Sequence, residues 1–438
     1  MSHPTDRRQF LQTASAGVLA ATAVSGAASV IAKAPSDRVR FGMIGCGGRG
    51  GHVTQLFRGN PNVELAYVCD CDAQRLATAA KSFGVPAKGV VTDMRRMLDD
   101  KSLDAVLVTT PDHWHSPASI LACEAGKHVY VEKPISHNIR EGRLLADASA
   151  RNKVHVQHGT QCRSTQMMID AVQLLREGLI GTVLVAKCWN IQKRGSIGRG
   201  QDTTPPPGFD YDSWVGPATM VPYRTNRVHN RWTWWYHFGT GDMGNDGVHD
   251  IDYTRWGLGV QTHPTKVVAL GGKYVHDDDQ EFPDTQQVTF EYPEGGKVGQ
   301  QRMLIYEQRL WSTNYPHNVD SGAEFYGTDG QMFLSRRGKI QVIDGKNKPK
   351  QLDVKPQGQD DAAHVRNFLA AIREGAKVNA DALTGHLSTS LCHLGNIATR
   401  LARSLVFDPQ TEQIVGDEEA NKLVRREYRE HWGRPKET

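Results

Sequence analysis

The sequence predicts an α/β chain: an N-terminal doubly wound parallel sheet, then an α+β domain with an open, mostly antiparallel sheet. Three observations carry this reading. From Val39 to Pro134, short apolar strand patterns alternate with helical ones. A glycine-spaced turn, Gly45-Cys46-Gly47-Gly48-Arg49-Gly50, joins the first strand to the first helix. After about residue 160 the strand patterns lengthen and the helices between them thin out.

The elements follow in order. Val39–Ile44 reads as the first strand, and the glycine turn opens a helix running through Phe57. Val63–Cys69 is a second strand ending at Asp70, and Ala73–Phe83 has helical period. Ala105–Thr109 is a buried strand, Ala118–Ala125 the next helix, and His128–Val131 a strand that runs into Glu132-Lys133-Pro134. Val154–Gln157 is a further strand. Thr182–Asn190, Lys266–Leu270, Gln287–Tyr292 and Lys297–Met303 are the longer strands of the second sheet. Pro205-Pro206-Pro207-Gly208 marks a loop, and Tyr292-Pro293-Glu294-Gly295-Gly296 a hairpin turn. Val365, Phe368, Leu369 and Ile372 share one helix face, as do Leu391, Leu394, Ile397 and Leu401.

The first 34 residues form a leader. Arg7-Arg8-Gln9-Phe10-Leu11 precedes a small-residue apolar stretch, and Ala32-Lys33-Ala34 fits a small-x-small cleavage site. The paired arginines resemble a twin-arginine (Tat) signal, so the expected location is the periplasm or beyond, reached through the Tat machinery. The stretch is weakly hydrophobic for a membrane anchor, and nothing else approaches ~20 apolar residues. The domains expected are therefore 1–34 signal, 35–160 nucleotide domain and 161–438 substrate and oligomerisation domain.

Net charge is +4, and +2 without the leader, which gives no reason to invoke nucleic acid or an anionic membrane. The seven cysteines are scattered and odd in number, which argues free thiols rather than a disulfide framework. Cys69-x-Cys71 lacks the second pair of a zinc site, so no metal is expected.

The glycine turn has the features of a dinucleotide site. Gly45 permits the tight turn, Gly47 and Gly48 leave room for a pyrophosphate, and Gly50 lets helix and strand pack closely. The helix N-terminus faces the phosphate charge. Asp70 stands where an acid takes a ribose 2′-hydroxyl and repels a 2′-phosphate, which favours NAD over NADP. Arg49 and Arg75 are placed to touch phosphate and soften that preference.

Thr110-Pro111-Asp112-His113-Trp114-His115 and Glu132-Lys133-Pro134 both follow strands, and ligands of such sheets sit outside the carboxyl ends of strands. A partly desolvated lysine beside a cationic nicotinamide has its ammonium disfavoured, which suits proton exchange with a substrate hydroxyl. These segments, with Ala125-Gly126-Lys127-His128-Val129 and the stretch from Gly241 to Asp252, resemble the Gfo/Idh/MocA oxidoreductases, the family of glucose-fructose oxidoreductase and inositol dehydrogenase. The resemblance covers nearly all of the chain after the leader. It implies a Rossmann domain, NAD(P) contacts from Thr110, Pro111, His113, His115 and Glu132, a catalytic Lys133, an acid-base and substrate-binding His249, and a homo-oligomer, dimer or tetramer. Position 245 departs from the pattern: Asn245 stands where these dehydrogenases commonly carry Asp, with Asp246 beside it. Asn orients a hydroxyl but takes no proton; on an α-helix residues 245 and 249 would share a face.

His115, Gln161 and Arg163 are further substrate-side candidates, and Trp189, Trp214, Trp232, Trp234, Trp235 and Tyr236 either stack on a sugar or fill the core. The function expected is an exported NAD-dependent oxidoreductase that moves hydride between a tightly held cofactor and a sugar or polyol. Two alternatives stand beside it: a redox-neutral glycoside hydrolase or epimerase working by transient oxidation, and a non-catalytic sugar- or nucleotide-binding protein.

Overall fold

The computed structural model describes residues 38–293 and 297–436; the leader, with its twin arginines, and the tip of the expected hairpin at 294–296 lie outside them. From Val39 the alternation holds. The elements are β1 (Val39–Ile44), α1 (Gly48–Arg58), β2 (Val63–Cys69), α2 (Ala73–Phe83), β3 (Val90–Val91), α3 (Arg95–Leu98), β4 (Ala105–Val108), α4 (Asp112–Glu124), β5 (His128–Val131), α5 (Ile139–Asn152) and β6 (Val156–His158). The six strands are all parallel, in the order β3-β2-β1-β4-β5-β6. The chain winds outward in opposite directions from β1 and β4. The loops that follow these two strands part, and a crevice opens at their carboxyl ends.

Helix α4 starts at Asp112, six residues earlier than its apolar pattern predicts, and carries Pro117 inside it. Proline has no N–H, so the carbonyl of His113, four residues back, loses its helical donor. Arg426 supplies one instead, with Nη2 2.7 Å from that oxygen. A residue more than 300 positions away thus repairs the helix and anchors the C-terminal segment beside it.

The second part comprises α6 (Gln166–Arg176), β7 (Val183–Asn190), β8 (Asp202–Thr203), α7 (Tyr211–Val215), β9 (Tyr223–Arg224), α8 (Val248–Leu258), β10 (Lys266–Gly272), β11 (Thr285–Tyr292), β12 (Arg302–Arg309), β13 (Ser321–Gly327), β14 (Gly330–Ser335), β15 (Lys339–Asp344), β16 (Pro349–Lys350), α9 (Asp361–Glu374), α10 (Ala382–Leu401), β17 (Leu405–Asp408), β18 (Gln413–Ile414) and α11 (Glu418–Val424). A ten-stranded sheet runs β16-β15-β14-β13-β7-β12-β11-β10-β17-β18, antiparallel except where β7 meets β12. One face packs on α6, α8 and α10 around Met243, Ile251, Phe290, Tyr306, Phe325 and Leu394. The strand expected at Lys297–Met303 is displaced to Arg302–Arg309. Val298 is fully exposed, Gly299 turns at φ +85°, and inward alternation begins only at Leu304, Tyr306 and Gln308.

The apolar face of α9 does not join the second sheet. It returns to the first, where Phe57 of α1 meets Phe41, Tyr130 and Phe368 at ring distances of 5.0, 5.6 and 6.0 Å. All seven cysteines are free thiols, five of them buried. Because Phe57 joins four elements and is almost wholly buried, Phe57→Ala should cost about 3–5 kcal/mol, read as a lowered urea midpoint.

Candidate active site

The glycine turn is built for close approach. Gly45 has φ +93°, and a Cβ there would stand 2.7 Å from the Thr109 carbonyl. A Cβ at Gly50 would run into the Gly45 carbonyl oxygen. The turn floors a cleft of about 450 Å³, within the range of a cofactor site. Asp70 lies in it, and its two oxygens accept from the backbone N–H groups of Cys46 (2.7 Å) and Asp72 (2.9 Å). A carboxylate has further lone pairs for a ribose hydroxyl. Thr110 and Pro111 line the cleft with Gly45, Gly47, Gly48 and Arg49.

The guanidinium of Arg49 bonds two carboxylates, Glu132 (2.8 Å) and Asp361 (2.9 Å). Arg75 is the guanidinium nearest the backbone of Gly47. Trp114 lines the cleft together with two residues that local sequence pattern did not single out, His229 and Trp432, and the Trp114 and Trp432 rings lie 5.4 Å apart. Of the aromatic-rich middle, Trp214 and Trp232 also line it, whereas Trp189, Trp234 and Trp235 are buried in the core.

The chemical centre forms where β5 meets the start of α8. Lys133 follows β5, and its Nζ donates to the backbone carbonyl of Asn245 and, at 3.2 Å, to Asn245 Oδ1. The α-helical spacing expected for 245 and 249 does not apply, because Met243–Gly247 is a π-helical turn. Such a turn inserts a residue and rotates the side chains that follow, and is common at functional sites. Asn245 Nδ2 reaches toward Asp242 Oδ1 at 3.4 Å. Asp246 turns away, to Gln192 and to the Arg336 guanidinium at 2.7 Å. His249 is buried, and its Nδ1 has no hydrogen-bond partner among the described residues. Burial, reinforced by Arg336 and Lys133, holds its pKa well below the ordinary value, so the ring is neutral. Burial raises the Asp242 carboxyl against the pull of Arg194. At Asp246 burial is outweighed by Arg336, Lys133 and Arg194, which hold the carboxyl below the usual range.

The other expected site residues are placed differently. His113 is buried, with Nε2 2.8 Å from the Trp214 carbonyl and its ring against Phe238. His115 has Nδ1 2.6 Å from the Pro134 carbonyl and Nε2 2.8 Å from that of Thr110. Burial lowers its pKa, so a neutral ring has one N–H and donates to only one of them. Gln161 is buried among Tyr130 and Glu132. Arg163 Nε donates to both carboxylate oxygens of Asp252, at 2.8 and 3.0 Å.

A family model described as oxidoreductase family, NAD-binding Rossmann fold, matches residues 39–160. A second, the C-terminal alpha/beta domain of the same Gfo/Idh/MocA family, matches residues 182–434. A glycosyl hydrolase family 109 protein of Saccharopolyspora erythraea is 31% identical over 206 residues, 42% of this chain and 45% of the relative. An alpha-N-acetylgalactosaminidase of Shewanella oneidensis is 28% identical over 206 residues, with the same shares. The matched stretch thus spans less than half the length of these relatives. Among solved structures, the aldose-aldose oxidoreductase of Caulobacter crescentus with glycerol aligns at TM-score 0.65, 17% identity, covering 84% of this chain and 100% of that one. Levoglucosan dehydrogenase with NADH and L-sorbose aligns at 0.64, 17% identity, covering 85% and 100%. These two likenesses are of fold.

Asp112 gives the site a pH signature. Its Oδ2 accepts from Thr240 Oγ1 at 2.7 Å, while Oδ1 has no partner among the described residues. Burial, outweighing Thr240 and Lys133, raises its pKa to about 7. The folded state therefore holds a proton that the unfolded state releases near pH 4, and stability falls as pH rises from about 4 to 7. Asp112→Asn should remove that share of the slope, on the order of 3 kcal/mol between pH 4 and 8, measured by denaturant titration at several pH values.

Proposed function

The chain belongs to the Gfo/Idh/MocA oxidoreductase family, and we propose that it transfers hydride between a carbohydrate carbon and an NAD that it retains between turnovers. The observation that carries this is the Lys133–Asn245–His249 cluster placed beyond the glycine cleft. The cleft fits a dinucleotide: two glycines leave no room for side chains, helix α1 presents its N-terminus, and Asp70 stands at the end of β2. Gly47, Gly48, Asp70 and Thr110 would hold the cofactor, and when bound it supplies the hydride acceptor. Lys133 polarises the substrate hydroxyl. The neutral His249 ring takes the proton. Asn245 pins the lysine and orients the hydroxyl, but accepts no proton itself.

Retention is supported by the segment after α11. Arg426 pairs with Glu141 at 2.8 Å, Tyr428 donates to the same carboxylate at 2.7 Å, and Arg429 bonds Asp212 at 2.6 Å. These anchors bring Trp432 onto the cleft wall, where the Arg95 guanidinium lies 4.3 Å from its ring. Release of a dinucleotide would have to disturb this strap.

A retained cofactor requires the hydride to return. The family 109 relatives favour return to the same sugar. Transient oxidation acidifies the neighbouring C–H, the glycosidic oxygen leaves by elimination, water adds, and the carbon is reduced again. Return to a second carbonyl substrate is the alternative, and gives a dehydrogenase. The leader at 1–34 supports export by the twin-arginine route, outside which released NADH would find little reoxidation. Outward Val268, Leu270 and Val406, on neighbouring strands β10 and β17, form an apolar face that supports a homo-oligomer.

Purified protein should carry nucleotide by absorbance and mass, and should cleave an aryl α-N-acetylgalactosaminide with no NAD added and no NADH accumulating. Lys133→Ala should lower turnover about 10²–10⁴-fold with nucleotide content intact; unchanged turnover would sink the lysine's role. Truncation after Glu427 should leave the purified protein depleted of nucleotide, and full retention would rule out the strap as its cause.

A further inference from the structure

A second cavity, of about 310 Å³, shares no lining residue with the nucleotide cleft. It lies between the loop at 218–240, helix α10 and the segment 422–427. Polar atoms lie buried just beneath its lining. Nη1 of Arg426 and Oδ1 of Asn396 are without a hydrogen-bond partner among the described residues. Asn396 Nδ2 donates to the Thr240 carbonyl at 2.8 Å, which leaves Oδ1 as its unpaired atom. Unmet donors and acceptors together call for a ligand that offers both, as a hydroxylated one does.

The mouth is cationic. Arg400, Lys422 and Arg425 line it, and none has a carboxylate within salt-bridge distance among the described residues. Two carboxylates stand against them. Glu427 lines the mouth, and Glu281 is bonded to the Tyr236 N–H. Arg426 is already neutralised by Glu141. Three cations against two carboxylates leave the mouth net positive. Tyr236 and Phe282, paired at 4.5 Å, form an apolar wall, and Arg400 lies 4.0 Å over the Tyr236 ring. Aromatic walls take the apolar face of a sugar ring.

We infer that this cavity is a binding site for an anionic saccharide. Its carboxylate or sulfate meets Arg400, Lys422 and Arg425, and its hydroxyls meet Asn396 and Arg426 beneath the lining. The site does not depend on hydride transfer. It is built on segments that flank the catalytic cluster in sequence, His137 four residues after Lys133 and Thr240 five before Asn245.

Calorimetric titration of the full-length, nucleotide-containing protein tests it with three probes: glucuronate, N-acetylglucosamine 6-sulfate and glucose. At least one acidic sugar should bind, about tenfold or more tighter than glucose, and the tighter of the two identifies the anion. The double charge reversal Lys422→Glu with Arg425→Glu, both exposed, should weaken that binding about tenfold without changing nucleotide content. Binding should survive His249→Ala. Equal affinity for glucose, no binding of either acid, or indifference to the charge reversal overturns the assignment. So does loss of binding in His249→Ala, which would put the acidic sugar at the catalytic centre instead.

Discussion

The contact on which the rest of the site depends is the one between Lys133 and Asn245. It joins the end of a strand in the first sheet to the start of a helix that packs on the second. A regular α-helix commits each carbonyl to the N–H four residues on. The π-helical turn at Met243–Gly247 breaks that ladder. It lets a backbone oxygen face the lysine, and separates Asn245 from Asp246. Asn245 meets Lys133, and Asp246 goes to Arg336.

Around this contact the protein balances charge in pairs. Arg336 meets Asp246, Arg163 meets Asp252 and Arg194 meets Asp242, and each carboxylate is buried or nearly so. Such pairs add little net stability, since desolvation offsets their attraction, but losing one partner strands a buried charge at about 3–5 kcal/mol. Their effect is positional. Three of them fix segment 242–252, and with it His249, in one arrangement. Burial there, together with the charges of Arg336 and Lys133, keeps the His249 ring neutral.

The first sheet was legible because buried parallel strands read as short apolar runs, and because a strand–glycine turn–helix has few other uses. β1, β2, β5 and α2 lie where their patterns put them. The strands β13 to β16 were not legible, since Glu324, Gln331 and Gln341 interrupt their alternation with outward polar residues. Lys133, Asn245 and His249 could be named because they sit in segments of characteristic order. Their relation could not, because a π turn leaves no periodic trace in eleven residues. His113 and His115 follow a strand as expected, but α4 begins beneath them and turns both rings into the protein, leaving Trp114 on the cleft side. Trp432 and Arg426 carried no local signal at all; their roles exist only through partners 300 residues away.

The strap has a consequence for how the protein comes to be made. Every other wall of the nucleotide cleft is drawn from residues 44–232, and the tryptophan that closes it comes two hundred residues later. During vectorial synthesis the cleft can therefore assemble with its door still unwritten. The wall is complete only when the segment that anchors on Glu141 and Asp212 has left the ribosome, so the order of the chain sets the order in which the cleft is built.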